Sequence, residues 1–283
     1  MGTLFVVATP IGNLEDITVR AARVLGEVDV VAAEDTRRTR KLLSHLGVHK
    51  KLISYRADSP ESREDAIVDC LRSGDVALVT DAGTPGLSDP GPDLVGRARR
   101  EGFPVVPVPG ASAIAAALSV VSFARQPVTF LGFLPERASR RERLVRQSAA
   151  VARTLVVYLP PHRAGDRVRE LLKWLGDCPS AMCRELTKVH EDVRELSLAD
   201  LGNALSCDLR GEITIVIDVA GSPTDEDDRP RDLRAAIVEA MAAGASPGRA
   251  AAAVARDLNV PRREVYRLAQ QYGPGNHEGY PEQ

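Results

Sequence analysis

Residues 76–91, Val-Ala-Leu-Val-Thr-Asp-Ala-Gly-Thr-Pro-Gly-Leu-Ser-Asp-Pro-Gly, carry the pattern best suited to chemistry in this chain. A valine-rich run that reads as a buried strand, Val76 to Val79, enters Asp81-Ala82-Gly83-Thr84-Pro85-Gly86 directly. Small side chains leave the backbone open to an approaching group, glycine permits positive φ, and proline holds a loop in one conformation. Open α/β sheets bind ligands beyond the carboxyl ends of their strands. The segment therefore reads as a rigid ligand cradle. The bland alternative is a tight strand–helix connection that binds nothing.

Three further loops share this character. Thr9-Pro10-Ile11-Gly12-Asn13-Leu14 follows the first expected strand, Ala33-Glu34-Asp35-Thr36-Arg37-Arg38 the second, and Pro107-Val108-Pro109-Gly110-Ala111-Ser112-Ala113 the fifth. Together with residues 81–86 they could line one crevice. None contains GxGxxG or GxxxxGK[ST], so a dinucleotide or a nucleoside triphosphate fits poorly. A ligand with an adenosine-like part and a short polar tail fits better.

The elements that must position these loops follow from periodicity. Leu4–Ala8, Val28–Ala33, Leu52–Ser54, Val76–Thr80 and Val105–Val108 are short, apolar and valine-rich, as strands buried on both faces should be. Helical patterns lie between them near Ile17–Leu25, Thr36–Leu46, Ser62–Arg72 and Asp93–Glu101, with Asp16 and Thr36 placed to cap two of them. This βαβα order predicts a largely parallel, doubly wound sheet over residues 1–120. From 121 to 221 the rhythm changes. Strands are expected at Phe130–Phe133, Thr154–Tyr158, Ala181–Arg184, Val193–Leu196 and Ile213–Ile217, with helices at Arg140–Val151, Arg163–Leu175 and Leu198–Leu205. Fewer crossover helices predict antiparallel or mixed pairing in this second α/β domain.

Residues 222–231 read as an acidic, proline-bounded linker, and 232–273 as a small helical domain. Its helices are expected at Leu233–Ala243 and Gly248–Leu258, with a third opened by Pro261; the last two resemble a helix-turn-helix. Arg256, Arg262, Arg263 and Arg267 make its end basic, which suits nucleic acid or simply a solvated face. Residues 274–283 have the composition of a disordered tail.

Composition sets the limits. A chain of 283 residues accommodates two compact domains and an appendage. The net charge of −2 offers no global attraction for nucleic acid, so such a partner must meet a local basic patch. Aromatic residues make up only 4%, which makes stacking on an aromatic platform an unobvious binding mode. Cys70, Cys178, Cys183 and Cys207 include no CxxC pair and have no histidines at zinc spacing, so four reduced thiols and no metal are expected. The N-terminus reads as a strand rather than a leader, and no apolar run approaches a membrane span. A cytoplasmic protein is expected.

The ordered set Thr9–Leu14, Ala33-Glu34-Asp35-Thr36-Arg37, Asp81–Pro85, Asp89-Pro90-Gly91 and Pro109-Gly110-Ala111-Ser112 resembles the tetrapyrrole-methylase superfamily. Within it, the likeness is to the enzymes that 2′-O-methylate a cytidine ribose of 16S rRNA. Gly132-Phe133-Leu134-Pro135, Arg184-Glu185-Leu186-Thr187-Lys188, Arg210-Gly211-Glu212-Ile213 and Arg263-Glu264-Val265-Tyr266 continue it over residues 3–272. The resemblance implies a two-domain tetrapyrrole-methylase-like α/β fold, a class III S-adenosyl-L-methionine (SAM) methyltransferase with a small helix-turn-helix-like C-terminal domain. It implies a homodimer, SAM in the cleft between the domains, and 16S rRNA of the small ribosomal subunit as partner. Pro10, Gly12, Asp81, Ala82, Gly83, Thr84, Pro85, Gly110, Ser112 and Ala113 would face the cofactor, with Arg184–Lys188 on the opposite wall. Arg37, Arg38, Arg262, Arg263 and Arg267 would meet RNA.

Two segments depart from the family pattern: Tyr55-Arg56-Ala57-Asp58-Ser59-Pro60, and Leu159-Pro160 ahead of Pro161-His162-Arg163. A ribose hydroxyl attacks a methyl sulfonium once it is positioned and relieved of its proton. The candidate bases are Lys188, Glu185 and Asp35, in that order; a lysine qualifies only if burial or a neighbouring cation lowers its pKa. Two other functions stay open: methylation of a precorrin-type tetrapyrrole carbon, and a SAM-binding regulator that places its helix-turn-helix on DNA.

Overall fold

The computed structural model describes residues 1–205, 211–220, 233–242, 245–257 and 262–269. Cys207, Pro261, the linker expected at 222–231 and the tail at 274–283 lie outside the described residues.

Five short strands, β1 (Leu4–Val7), β2 (Val30–Ala33), β3 (Lys51–Ser54), β4 (Val76–Val79) and β5 (Val105–Val108), form an all-parallel sheet in the order β3-β2-β4-β1-β5. Successive strand residues point to opposite faces, so one valine-rich strand feeds two cores. Val76 and Leu78 pack with Ile67, Val68 and Leu71 of α3 (Glu61–Ser73) and Leu94 and Ala98 of α4 (Pro92–Arg100). Ala77 and Val79 pack on the other face with Ala21, Val24 and Leu25 of α1 (Val19–Glu27) and Leu42 and Leu43 of α2 (Thr36–His45). The chain leaves β1 for β2 on one side and leaves β4 for β5 on the other. The adjacent ends of β1 and β4 therefore form a topological switch point, where open α/β sheets place ligands.

Capping differs from expectation by one or two residues. Thr18, not Asp16, caps α1, accepting from the Ala21 amide at 3.0 Å; Asp16 ends a short 3-10 turn. Asp35, not Thr36, caps α2: it holds extended backbone, and its carboxylate accepts from the Arg37 amide at 2.8 Å.

Helix α5 (Ala113–Ser119) has no counterpart in the sequence reading. Its run Ala-Ile-Ala-Ala-Ala-Leu-Ser lacks the polar face that announces a surface helix. Ala117 packs with Val156, Ala181 and Val216 of a second sheet and with Ile11 of the β1 loop, a core that joins the two sheets.

That second sheet comprises β6 (Val128–Phe133), β7 (Thr154–Leu159), β8 (Pro179–Arg184), β9 (Asp192–Ser197) and β10 (Ile213–Asp218), in the order β6-β7-β10-β8-β9. Only β6 and β7 run parallel; the other pairs are antiparallel, giving the mixed sheet expected. Helices α6 (Ala138–Ala149), α7 (Ala164–Leu175) and α8 (Leu198–Ala204) accompany it. Both sheets belong to one compact unit.

Helices α9 (Leu233–Ala242), α10 (Pro247–Asp257) and α11 (Arg262–Ala269) belong to a second unit. Ile237, Ala251, Val254, Val265 and Ala269 form its small core. Arg262, Arg263 and Arg267 are exposed on α11.

Candidate active site

A cavity of about 240 Å³ opens at the carboxyl ends of β4 and β5 and against the second sheet. The β4 loop contributes Asp81 to Thr84 and Leu87 to Asp89, and the start of α5 contributes Ser112 and Ala113. Phe133, Tyr158 to Pro161, Cys183, Leu186 and Gly211 to Thr214 close it from the second sheet.

The cradle is built by backbone geometry. Gly83 has φ +77°, and its amide and carbonyl exchange hydrogen bonds with Thr9 at 3.0 and 2.9 Å, tying the β4 loop to the β1 loop. Gly86, Ser88 and Gly91 also carry positive φ; at Ser88 this is a conformation that a side chain disfavours. A Cβ on Gly132 of β6 would overlap the Ser88 hydroxyl and force it to turn, and the φ of +61° there favours glycine as well.

Asp81 ties two strand ends together. One carboxylate oxygen accepts from the Asp35 amide at 3.0 Å, the other pairs with Arg38 at 3.2 Å, and the Asp81 amide donates to Glu34 at 3.2 Å. Asp35 thus spends its carboxylate on the start of α2 and on Arg37, which together hold it below the ordinary carboxylate range. It lines neither cavity of this site.

Four acids, Glu34, Asp81, Asp89 and Glu212, face the larger cavity. Burial, reinforced by Glu34 and Asp81, pushes Asp89 up to about 6. Burial likewise raises Tyr158 to about 12 and the Cys183 thiol to about 11, so both stay protonated at neutral pH. Sequence reading quoted Asp89 within a motif but gave it no role; its burial among other acids is a tertiary property that no local spacing reports.

A second cavity, about 220 Å³, lies on the other side of the β1 loop. Pro10, Gly12, Lys41 and Lys188 line it, and it shares Ile11, Arg38, Asp81, Ala82 and Glu212 with the larger one. Here the turn between β8 and β9 meets the β1 loop. A Cβ on Gly12 would overlap Lys188 Cγ and crowd the Thr187 hydroxyl, while the Asn13 amide donates to that hydroxyl at 3.1 Å. Glu185 and Thr187 adopt positive φ to make this turn.

The Lys188 ammonium donates to Glu185 at 2.9 Å and to Glu212 at 3.1 Å. Partial burial pulls its pKa down, but the two carboxylates outweigh this and hold it above the ordinary lysine value. This is the reverse of the condition set for a lysine base. Glu185 is held below its usual range by Lys188 and the Glu212 amide against the opposing pull of burial, which leaves it a weak base.

Of the ten residues expected at the cofactor, Asp81, Ala82, Gly83, Thr84, Ser112 and Ala113 line the larger cavity, Pro10 and Gly12 the smaller, and Pro85 and Gly110 neither. A Cβ on Gly110 would crowd the Ala8 side chain, so this glycine serves packing against the end of β1. Arg38 borders both cavities and Arg37 neither, while Arg262, Arg263 and Arg267 belong to the separate helical unit. The departing segment at Tyr55 serves the core: its hydroxyl donates to Glu64 and accepts from the Leu94 amide, both at 3.2 Å. Leu159 to Pro161, the other departure, line the larger cavity.

The family model for tetrapyrrole (corrin/porphyrin) methylases matches residues 3–202. The chain belongs to that family. A uroporphyrin-III C-methyltransferase from Thermus thermophilus, solved in complex with S-adenosyl homocysteine, shares its fold (TM-score 0.55, 21% identity, covering 77% of this chain and 98% of that one). Two methylases of the family are similar in sequence as well. The ribosomal RNA small subunit methyltransferase I of Halalkalibacterium halodurans is 37% identical over 95% of both chains. The protein of that name from Synechocystis sp. is 38% identical over 95% of this chain and 98% of its own. In this tetrapyrrole methylase the chemistry suits a small organic cation: apolar walls at Ile11, Ala82, Ala113 and Leu186 face Glu34 and Asp89, while Asp81 and Glu212 are paired with Arg38 and Lys188.

Proposed function

We propose that the protein is a SAM-dependent methyltransferase that 2′-O-methylates the ribose of a cytidine in 16S rRNA of the small ribosomal subunit. One observation carries this reading. Two relatives named ribosomal RNA small subunit methyltransferase I match 95% of the chain at 37% and 38% identity, whereas the C-methyltransferase that shares its fold covers 77% at 21%. The likeness to the rRNA enzymes thus reaches beyond the two sheets.

The residues fit the cofactor on chemical grounds. Apolar walls accept the nucleoside and thioether portions, and Glu34 and Asp89 favour a ligand that carries a sulfonium and an ammonium. When bound, SAM supplies a methyl group already activated by its cationic sulfur. The chain's own contribution is placement. Gly83 and Thr84 let the backbone approach the ligand, and Ser112 and Ala113 bound its other side.

The smaller cavity suits the nucleotide. Arg38, Lys41 and Lys188 present cations to a phosphate–ribose segment, and the wall at Ile11, Asp81, Ala82 and Glu212 is common to both cavities. Holding the hydroxyl in line accounts for much of the rate. Lys188 orients the ribose as an ammonium, Glu185 orients Lys188, and Asp35 aims Arg37 and Arg38 by capping α2. Asp81 and Glu212, carboxylates at the boundary of both cavities, are the candidates to take the hydroxyl proton. Residues 1–120 and 121–221 act as the two lobes of the site, and the basic helical end adds RNA contact. The same reading places the enzyme in the cytoplasm as a homodimer. Among the described residues, no helix is long and apolar enough to cross a membrane.

Mapping 2′-O-methyl groups on small-subunit RNA with and without this protein tests the reading. Loss of one cytidine methylation in the deletion strain, restored by the purified enzyme with labelled SAM, is expected. An unchanged methylation map overturns it, and methyl transfer to a precorrin-type substrate instead of ribosomal subunits establishes the tetrapyrrole alternative.

A further inference from the structure

Residues 137–146 contain five arginines and one glutamate in a chain whose net charge is −2. Arg137, Arg140 and Arg143 are exposed, and among the described residues no carboxylate pairs with any of them. Arg140 and Arg143 are three residues apart on α6 and so share one face of the helix.

Arg141 points the other way and is 4% exposed. It grips Glu170 of α7 through two nitrogens at 2.9 and 2.6 Å and donates to the carbonyls of Pro135 and Glu136. A bidentate pair from a buried arginine thus fixes the loop that joins β6 to α6. At the base of that loop stands Phe133, 58% exposed, on the rim of the larger cavity. Its ring rests edge-on against Tyr158, with centroids 5.5 Å apart, leaving the remainder open to solvent.

An exposed aromatic ring at a cavity rim followed by unneutralised arginines at the start of a helix is the combination that binds single-stranded nucleic acid: stacking for a base, cations for the phosphates. A folded acidic protein would match the charge but leaves the solitary ring without a purpose. We propose that Phe133 and the Arg137–Arg143 face of α6 form a single-stranded RNA contact, with the ring stacking a base beside the target nucleotide and Arg137, Arg140 and Arg143 holding successive phosphates. This inference rests on the RNA methyltransferase reading and adds a surface distinct from α2 and the C-terminal helices.

The test uses the full chain with small ribosomal subunits and labelled SAM. Arg140→Glu/Arg143→Glu should raise KM for the subunit at least tenfold. It should also lower the slope of log affinity against log salt by about 1.4, near 0.7 for each lost single-strand phosphate contact. Phe133→Ala should raise KM about fivefold, with recovery in Phe133→Trp. SAM affinity and the thermal midpoint should match wild type in the arginine variants. Arg99→Glu/Arg100→Glu on α4 makes the same charge change elsewhere and should leave KM and the slope in place.

Variants that match wild type in KM and salt slope overturn the surface while methylation of RNA stands. An equal loss in the α4 control overturns it as well, because the effect would be one of net charge. A wild-type chain that transfers no methyl to RNA overturns the functional reading itself.

Discussion

The cradle around residue 83 depends on conformation more than on space. An added Cβ at Gly83 would meet Ile11 at 3.4 Å, an ordinary distance, but φ +77° is strained for any side chain and most of all for a β-branched one. Gly83→Val should therefore relocate the loop, break its pairing with Thr9 and reduce SAM affinity at least a hundredfold. The sheet beneath should survive. Titration calorimetry with circular dichroism checks this, and undiminished SAM binding would remove the loop from the cofactor site. Asp89 makes a second residue-scale prediction. With its carboxyl raised to about 6, it is mostly protonated at pH 5 and ionised at pH 7. A cationic ligand favours the ionised form, so SAM affinity should rise about tenfold between those pH values as one proton is released on binding. Asp89→Asn should flatten the profile. In the ligand-free protein the sign is opposite: a carboxyl raised on folding contributes stability at low pH that is lost as pH rises toward 6.

Among the elements, α6 and α7 depend on one buried guanidinium. Arg141 is buried, while Glu170 is partly exposed and keeps Arg167, so Arg141→Met should cost about 2 kcal/mol of unfolding free energy, mostly through the lost hydrogen bonds to Glu170, Pro135 and Glu136. Urea denaturation measures it; a loss below about 1 kcal/mol would mean that Arg167, 3.0 Å from Glu170, suffices alone. Burial pulls Glu170 up, yet Arg141 and Arg167 hold it below its usual range, so its contribution is complete above the unfolded carboxylate pKa and fades as pH falls through the lower folded value. These elements were legible in sequence to different degrees. The valine runs at 30–33 and 76–79 announce strands buried on both faces because nothing polar interrupts them. Helix α5 escaped notice because an alanine-rich segment buried between two sheets shows no amphipathic period. Local chemistry located the loops of the site. The roles of Gly12, Lys188 and Asp89 were not legible, since each depends on a partner far away in the chain: Gly12 on the 186–188 turn, Lys188 on Glu212, and Asp89 on Glu34.

At the scale of the whole molecule, an rRNA methyltransferase with a net acidic chain would have to gather RNA affinity from separate basic surfaces, because its overall field does not attract phosphate. The α11 arginines would form one such surface, on a unit with a core of its own. Its packing at Val265 and Ala269 leaves Arg262, Arg263 and Arg267 outside, so replacing them tests charge without disturbing that core. Arg262→Glu/Arg263→Glu/Arg267→Glu should weaken binding to small-subunit RNA at least tenfold. The salt slope should become shallower by about 2, as expected for three single-strand contacts, or by somewhat more if the arginines meet duplex RNA. SAM affinity should stay at the wild-type value, since the lining of both cavities belongs to the other unit. Filter binding over a salt series and titration calorimetry separate these effects. A fall in SAM affinity would show that the helical unit supports the methyl-donor site. Unchanged RNA binding would instead leave recognition to surfaces of the two-sheet unit.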